Sequence, residues 1–398
     1  MEITPDIHPT ANIKVVGVGG GGGNAVNRMI KAGIGNVEFI AINTDAQALH
    51  YNQAKIKVHI GRDSTKGLGT GGIIEVGKRA IEENMADVKA VLEGADMVFL
   101  TCGLGGGTGS SVLPEVAKLA KEEIGALTVA VVTKPFSFEG QHRMKVANSA
   151  YKELAEHVDT LITIPNDRLL NMIDKKTTLL DAFTVVDDVL LQGIQGISDL
   201  ITQHGHVNVD FADAKAIMRN AGSALMGIGY AGGENRATEA AKSAIESPLL
   251  DMSIDGAKGI IVIITGGRDL SMWEIDEAAK TVTASADPEA NVIFGAVIDD
   301  NMSGEIKVTV IATGFESKED VLPIRRSFMQ KNSPAPVKPA INFFGSDFKN
   351  NNPGSTASTT SSAKVNNASS TPTGSTATGP STPQDELEVP TFIRKRMI

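Results

Sequence analysis

Three dense glycine clusters constrain this chain more than any other feature: 17-GVGGGGG-23, 67-GLGTGG-72 and 103-GLGGGTG-109. A residue without a Cβ lets the backbone come close to a neighbouring strand or to a bound anion. The first cluster follows an apolar, β-branched run, Ile13–Val18, and leads into helical periodicity over Asn24–Lys31 that stops at Gly33. The third follows a strand at Met97–Thr101 and precedes a helix expected from about Ser110 to Glu123. A junction of this kind turns amide N–H groups and a helix dipole toward the end of the strand, where they can cradle a phosphate.

Strands alternate with helices along the first half. Val37–Ile42, Thr128–Thr133 and Thr160–Ile164 are apolar runs, and Gln141–Glu156 is a helix between the last two. Continuous apolar strands separated by helices predict a parallel sheet covered on both faces. From Thr178 to Gln203 the chain reads as one long helix, with Leu179, Leu180, Phe183, Val186, Leu190, Ile194, Ile197 and Ile201 on one face. A second α/β set follows: strands at Ala224–Tyr230, Gly259–Thr265, Val292–Ile298 and Ile306–Ala312, with helices at Asn235–Glu246 and Ser271–Ala284. The turn-rich 299-DDNMSGE-305 between the last two strands predicts a hairpin, and hence a mixed sheet.

The expected organisation is an α/β chain. An arm (1–11) precedes a Rossmann-like parallel-sheet domain (12–177), a long central helix (178–203) and a smaller α/β domain (204–316) closed by 317–330. Residues 331–384 are mostly Ser, Thr, Asn and Pro, too polar to offset ordering entropy, and predict a disordered linker. As a flexible coil it spans roughly 40 Å. The last segment, 385–398, regains apolar character in Val389, Pro390, Phe392 and Ile393, followed by Arg394 and Lys395. Apolar anchors flanked by charge at the end of a tether read as a docking peptide, against the alternative of a solvated chain end.

Composition excludes several classes. A net charge of −10 argues against a general nucleic-acid coat or binding to an anionic membrane surface. A single cysteine, Cys102, rules out a disulfide framework and a cysteine-rich zinc site, and it reads as a small buried residue in a reducing compartment. No apolar run approaches a membrane span, and the acidic start of the chain has neither a signal nor a transit layout. The expectation is a soluble cytoplasmic protein. His204 and His206 read as polar loop residues rather than as a metal pair.

Gly17-x-Gly19-x-x-Gly22 with Glu38 downstream matches the dinucleotide fingerprint, so an NAD-dependent oxidoreductase is one reading and a simple packing device is another. A dinucleotide needs one such loop for its pyrophosphate. Several loops at one sheet edge suit a longer polyphosphate, such as a nucleoside triphosphate. No GxxxxGK[ST] occurs, so charge must be met by backbone amides, a metal ion and Arg143.

The segments VGVGGGGGNAVNRM, AINTDAQAL, GLGTGG, GGGTG, VVTKPFSFEGQHRM, TIPNDRLL and NVDFAD, in this order, resemble the tubulin/FtsZ superfamily. EVPTFIRKR is similar to the C-terminal peptide of its bacterial members. Two positions depart from the family pattern: Ser111 where the glycine signature usually ends in glycine, and Lys215 where arginine is common. The resemblance implies a cytoskeletal GTPase that polymerises head-to-tail, binds GTP and GDP with Mg2+, and forms a ring at the division site. It also implies that the terminal peptide meets membrane tethers and division regulators. A non-catalytic filament scaffold is the weaker variant of this reading.

Residue roles follow from the resemblance. Gly20, Gly21, Gly22, Asn24, Thr108, Gly109 and Ser110 would hold the phosphates, with Gly71 and Gly72 near the γ-phosphate. By itself, Asn24 also reads as a helix cap. Asn43 and Asp45 would lie near nucleotide and metal; their bare reading is a capped turn. Glu139 would accept from the ribose hydroxyls and Arg143 would contact ribose or phosphate, although an i,i+4 ion pair explains the spacing equally. Asn166, Phe183 and Asp187 would meet the base. An ionised carboxylate accepts from the two donors of guanine but faces a lone pair on adenine, so Asp187 favours GTP over ATP, while Asp188 points elsewhere. The alternative is a buried Phe beside a solvated Asp pair. The residues alone make Asp210 an N-cap with Asp213 at the third helical position. By resemblance Asn208, Asp210 and Asp213 are catalytic and enter the nucleotide site of the next subunit.

Overall fold

The computed structural model describes residues 11–170, 177–202, 210–250, 253–254, 256–300, 302 and 304–315, without the side chain of Leu179. The linker 331–384, the stretch 317–330, the terminal peptide 385–398 with Val389, Pro390, Phe392, Ile393, Arg394 and Lys395, and also Asn208, His204 and His206 lie outside the described residues. So does the arm, apart from Ala11.

Among the described residues ten strands run in chain order: β1 (Ile13–Val18), β2 (Val37–Asn43), β3 (Ile56–His59), β4 (Met97–Gly103), β5 (Leu127–Lys134), β6 (Thr160–Pro165), β7 (Gly222–Gly232), β8 (Gly259–Gly266), β9 (Asn291–Ile298) and β10 (Glu305–Thr313). Their spatial order is β3-β2-β1-β4-β5-β6-β7-β10-β8-β9. The first six are parallel, in the doubly wound order that the apolar runs predict. β7 joins β6 in parallel at Thr160↔Gly222, Leu161↔Ser223 and Ile162↔Ala224, so one sheet runs through both halves.

The helices are α1 (Gly19–Lys31), α2 (Ala46–Tyr51), α3 (Arg62–Thr65), α4 (Ile74–Glu83), α5 (Met85–Leu92), α6 (Gly107–Lys118), α7 (Gln141–His157), α8 (Asn166–Leu169), α9 (Leu179–Thr202), α10 (Phe211–Met218), α11 (Arg236–Ile245) and α12 (Met272–Thr283). Among the described residues no helix is long and apolar enough to cross a membrane.

Two sequence expectations need correction. The segment 299–305 reverses the chain, but β9 and β10 do not form a hairpin. β10 lies between β7 and β8, antiparallel to both, and β9 is parallel to β8 on its outer side. Burial explains the exchange: β10 is buried over most of its length and needs two partners, whereas the half-exposed β9 suits an edge. The second correction concerns α1, which starts at Gly19 rather than Asn24, so the glycine run itself forms the first turns. Asn24 is therefore a mid-helix residue and not a cap.

One core joins the two halves. Val186, Val189, Leu190, Ile194, Ile197 and Leu200 of α9 pack with Val15, Phe99 and Val131 of the parallel strands and with Ile261, Ile263 and Ile311 of β8 and β10. Each such side chain contributes roughly 1.5–3 kcal/mol on burial. The apolar face of α9 is shorter than expected: Leu180 is 80% exposed and Phe183 40%, so the first turns lie beyond the core. Separate cores fill the other face under α4 to α7 and the far face under α11 and α12.

Candidate nucleotide site

The carboxyl ends of β1, β4, β5 and β6 open into a cavity of about 340 Å³. Its floor is backbone. Gly20 and Gly21 of α1 and the stretch Gly106–Gly109 at the start of α6 line it, together with Thr70 of the second glycine loop. Gly20 has open space where a Cβ would stand. Gly22 does not line the cavity. It packs on the sheet, where a Cβ would lie 2.4 Å from the Thr101 carbonyl oxygen. Bare amides at two helix starts on one strand edge form an anion cradle without any lysine.

Hydroxyls hold this floor in place. Thr108 Oγ1 lies 2.7 Å from Thr44 Oγ1, and the Gly105 amide donates to the buried Ser110 Oγ at 2.8 Å. Ser110 therefore ties down the loop from within and does not line the cavity. Gly71 and Gly72, both at positive φ, do not line the cavity; Gly72 stands against its floor, where a Cβ on Gly107 would meet Gly72 Cα at 2.9 Å. Asn43 is buried in a side pocket of about 50 Å³ that shares Gly20 and Asn24 with the main cavity. Asp45 lines neither. It caps α2, accepting from the amides of Gln47 and Ala48 at 2.9 and 3.0 Å.

The rim on one side is Glu139 and Arg143, which line the cavity and are ion-paired, not along one helix face as the spacing predicts but across Gly140, which separates the short turn ending at Glu139 from α7. Glu139 Oε1 in addition accepts from the Phe136 amide at 2.9 Å. The ion-pair reading of this pair therefore holds, and both side chains stand at the cavity.

The opposite wall carries Asn166, Phe183 and Asp187. Asn166 is buried and its Oδ1 has no protein partner, a state that costs about 1–3 kcal/mol until a donor arrives. Phe183 stands edge-on to Phe136 at 5.6 Å and leaves a face open. Burial, with Asp188 beside it, pushes the Asp187 carboxyl up to about 6, against the pull of Arg28. Asp188 turns away, and its carboxylate takes Arg28 bidentately at 2.6 and 3.1 Å. The wall thus offers a ring face, an orphaned amide oxygen and a carboxylate to one flat, donor-rich base.

Several lining residues escaped sequence reasoning, Thr70 and Pro135 among them. Thr70 sits inside the second glycine cluster, where it could have been found, but Pro135 enters through a strand-end turn with no chemical signal. Asp210 stands at the N-cap position of α10 but its side chain caps nothing, and Asp213 is the third helical residue. Neither lines the cavity. Cys102 is buried, and burial pushes its thiol far above the ordinary range, which leaves it unreactive.

The Tubulin/FtsZ family GTPase domain matches residues 12–174, and the FtsZ family C-terminal domain matches residues 222–316. Fold and site together define a GTPase of the tubulin/FtsZ class, with GTP and GDP as its ligands. An empty FtsZ dimer from M. jannaschii and a tryptophan-to-tyrosine mutant of that FtsZ are each 46% identical to this chain, with TM-scores of 0.74. The matches cover 77% of this chain and 89% and 92% of those chains. CetZ2 from Haloferax volcanii, solved as a GTPγS-bound protofilament, shares the fold at 22% identity and a TM-score of 0.64, over 76% of this chain and 92% of its own. The chain belongs to the FtsZ family of cytoskeletal, cell-division GTPases. The oxidoreductase reading loses its ribose ligand in the same structure. Glu38 sits at the amino end of β2, 3.1 Å from Lys14, on the edge of the sheet opposite the cavity.

Two outcomes are expected. Because guanine needs the ionised carboxylate, GTP affinity should fall as the pH drops below about 6 and level off above it. Asp187→Asn should bind GTP more weakly and lose that dependence, and comparing the two proteins by calorimetric titration cancels the phosphates' own titration. A matching pH profile in both would refute the assignment. Gly22→Ala should destabilise the nucleotide-free protein by roughly 1–3 kcal/mol through overpacking, read as a lower melting temperature. Gly20→Ala should leave that melting temperature unchanged and weaken GTP instead.

Proposed function

We propose that the chain polymerises head-to-tail into filaments that form the division ring in the cytoplasm, and that GTP is hydrolysed between subunits. The supporting observation is a separation. Asp187 marks the cavity end of α9, and Thr202, at the other end, lies about 22 Å away at the helical rise. The first turn of α10, with Asp210 and Asp213, follows that far end. The last residue of α10, Met218, accepts from Thr160 Oγ1 at the amino edge of β6. Within one chain these carboxylates do not line the cavity. A second copy stacked along the α9 direction would bring its Asp210, Asp213 and Asn208 to the open cavity. A head-to-tail contact of this kind does not close on itself, so it makes a filament.

In this reading Gly20, Gly21, Asn24, Thr108 and Gly109 hold the phosphates directly, Gly22 and Ser110 shape the cradle, and Gly71 and Gly72 lie near the γ-phosphate. Asn43 and Asp45 support the loop beside the nucleotide. Glu139 and Arg143 meet ribose and phosphate, and Asn166, Phe183 and Asp187 read guanine. Asp210 and Asp213 of the neighbour orient the attacking water, for phosphoryl transfer depends on positioning more than on covalent chemistry. Among the described residues no group of three His, Cys, Asp or Glu could cage a metal ion. The donors at the phosphate floor are amides and the Thr108 hydroxyl, which fit a Mg2+ held mainly by phosphate oxygens and its own waters. Mg2+ would offset charge on the β- and γ-phosphates.

The order of segments supports a chain of two domains, 12–177 and 204–316, joined by the helix 178–203. A tether (331–384) would carry the peptide 385–398 to membrane tethers and division regulators.

Asp213→Ala should bind GTP normally and lose nearly all turnover. Mixing it with Asp187→Asn should restore part of the turnover, since mixed contacts contain one intact site. No recovery at any ratio, with both variants folded, would exclude a shared site. Removing 385–398 should delocalise the protein in cells and leave its GTPase rate near that of the full chain; a large loss of rate would contradict a purely docking role.

A further inference from the structure

α6 meets the second glycine loop and α4 through very small residues. A Cβ on Gly107 would stand 2.1 Å from Thr70 Oγ1. One turn later the buried Ser111 faces Gly77 of α4, where a Cβ would lie 1.9 Å from Ser111 Oγ and 3.0 Å from Ser111 Cβ. Ser111 Oγ donates to the Gly107 carbonyl at 2.7 Å. The hydroxymethyl group that departs from the family signature is thus bonded to the phosphate-side turn and seated in the slot that Gly77 leaves open.

The glycine loop runs straight into α4. The Ile73 amide donates to Thr70 O at 3.1 Å, and the Gly77 amide to Ile73 O at 3.4 Å. A shift of α4 away from α6 therefore carries Thr70, Gly71 and Gly72 with it. Packed helices pass on such shifts because interiors have little free volume.

We infer that Ser111 and Gly77 are paired positioning residues whose fit sets the distance between the loop Gly69–Gly72 and the phosphate-binding turn Gly107–Gly109, and so governs discrimination between GTP and GDP. The inference rests on the proposed γ-phosphate role of Gly71 and Gly72. Hydrogen bonds weaken steeply with distance, and only GTP carries the group that this loop would contact. Enlarging either member of the pair costs GTP affinity and spares GDP.

The test is GTP and GDP affinity of the full chain, measured below its assembly concentration. Gly77→Ala and Ser111→Val should each weaken GTP about tenfold and leave GDP within about twofold. The double variant Gly77→Ala with Ser111→Gly should recover GTP affinity, because one removes the side chain that the other displaces. Alanine favours a helix interior over glycine, so a loss in Gly77→Ala reports packing and not helix propensity. Equal loss of both nucleotides, or no recovery in the double variant, overturns the inference. Gly72→Ala separates the two levels. If it leaves the GTP-to-GDP ratio unchanged, the γ-phosphate reading of the loop fails. If it changes the ratio and the Gly77 and Ser111 variants do not, only the pairing fails.

Discussion

Close approach of backbone to backbone at the carboxyl edge of the sheet is the interaction on which the rest depends. α1 rests against β4 at Gly22, and α6 rests against the second glycine loop at Gly107, both closer than any side chain allows. Those approaches bring two helix starts to one place and leave their amides facing a common cavity. Positive charge from lysine is then unnecessary, and Arg143 is free to serve the rim, paired with Glu139. The same closeness makes the site sensitive to packing changes one turn away from any ligand.

α9 links this site to everything else. Its first turns leave the core to present Phe183 and Asp187, and its later turns bury one face across both halves of the sheet. Neighbouring aspartates show how finely the helix sorts its residues. Asp187 is turned into the cavity and loses water, whereas Asp188, one position on, keeps a guanidinium partner on α1. The bridge from Asp188 to Arg28 also ties the helix that carries Phe183 and Asp187 to the helix that opens the glycine floor of the cavity.

Much of the fold was legible because its strands are buried on both faces and read as unbroken apolar runs. Ile13–Val18 and Gly259–Thr265 are found this way, with bounds close to those observed. The pairing of β10 was not legible. A turn-rich connector reports that the chain reverses, but which strand lies next to which depends on competition among all strands for buried positions. The start of α1 was misplaced because glycine has poor helix propensity, and the contact with β4 that overrides it is distant in sequence. Phe183 and Asp187 at the cavity wall were legible through the family resemblance, since their spacing alone fits a buried ring beside a solvated acid pair equally well. The site was not legible where a residue contributes only shape, as with Pro135, or where a plausible ligand lies at the wrong edge, as with Glu38.

The sequence by itself determined the doubly wound core, the glycine cradle for a polyphosphate and the family to which the chain belongs, because these depend on local residue type and order. Tertiary structure alone decided that Gly22 shapes the cradle without lining it, and that Ser111 is housed by Gly77. It also decided that Asp210 and Asp213 lie outside the cavity, on a helix whose last residue meets the amino edge of β6. Each of these is a distance between segments remote in the chain, and such distances are set by how the whole sheet and its helices pack.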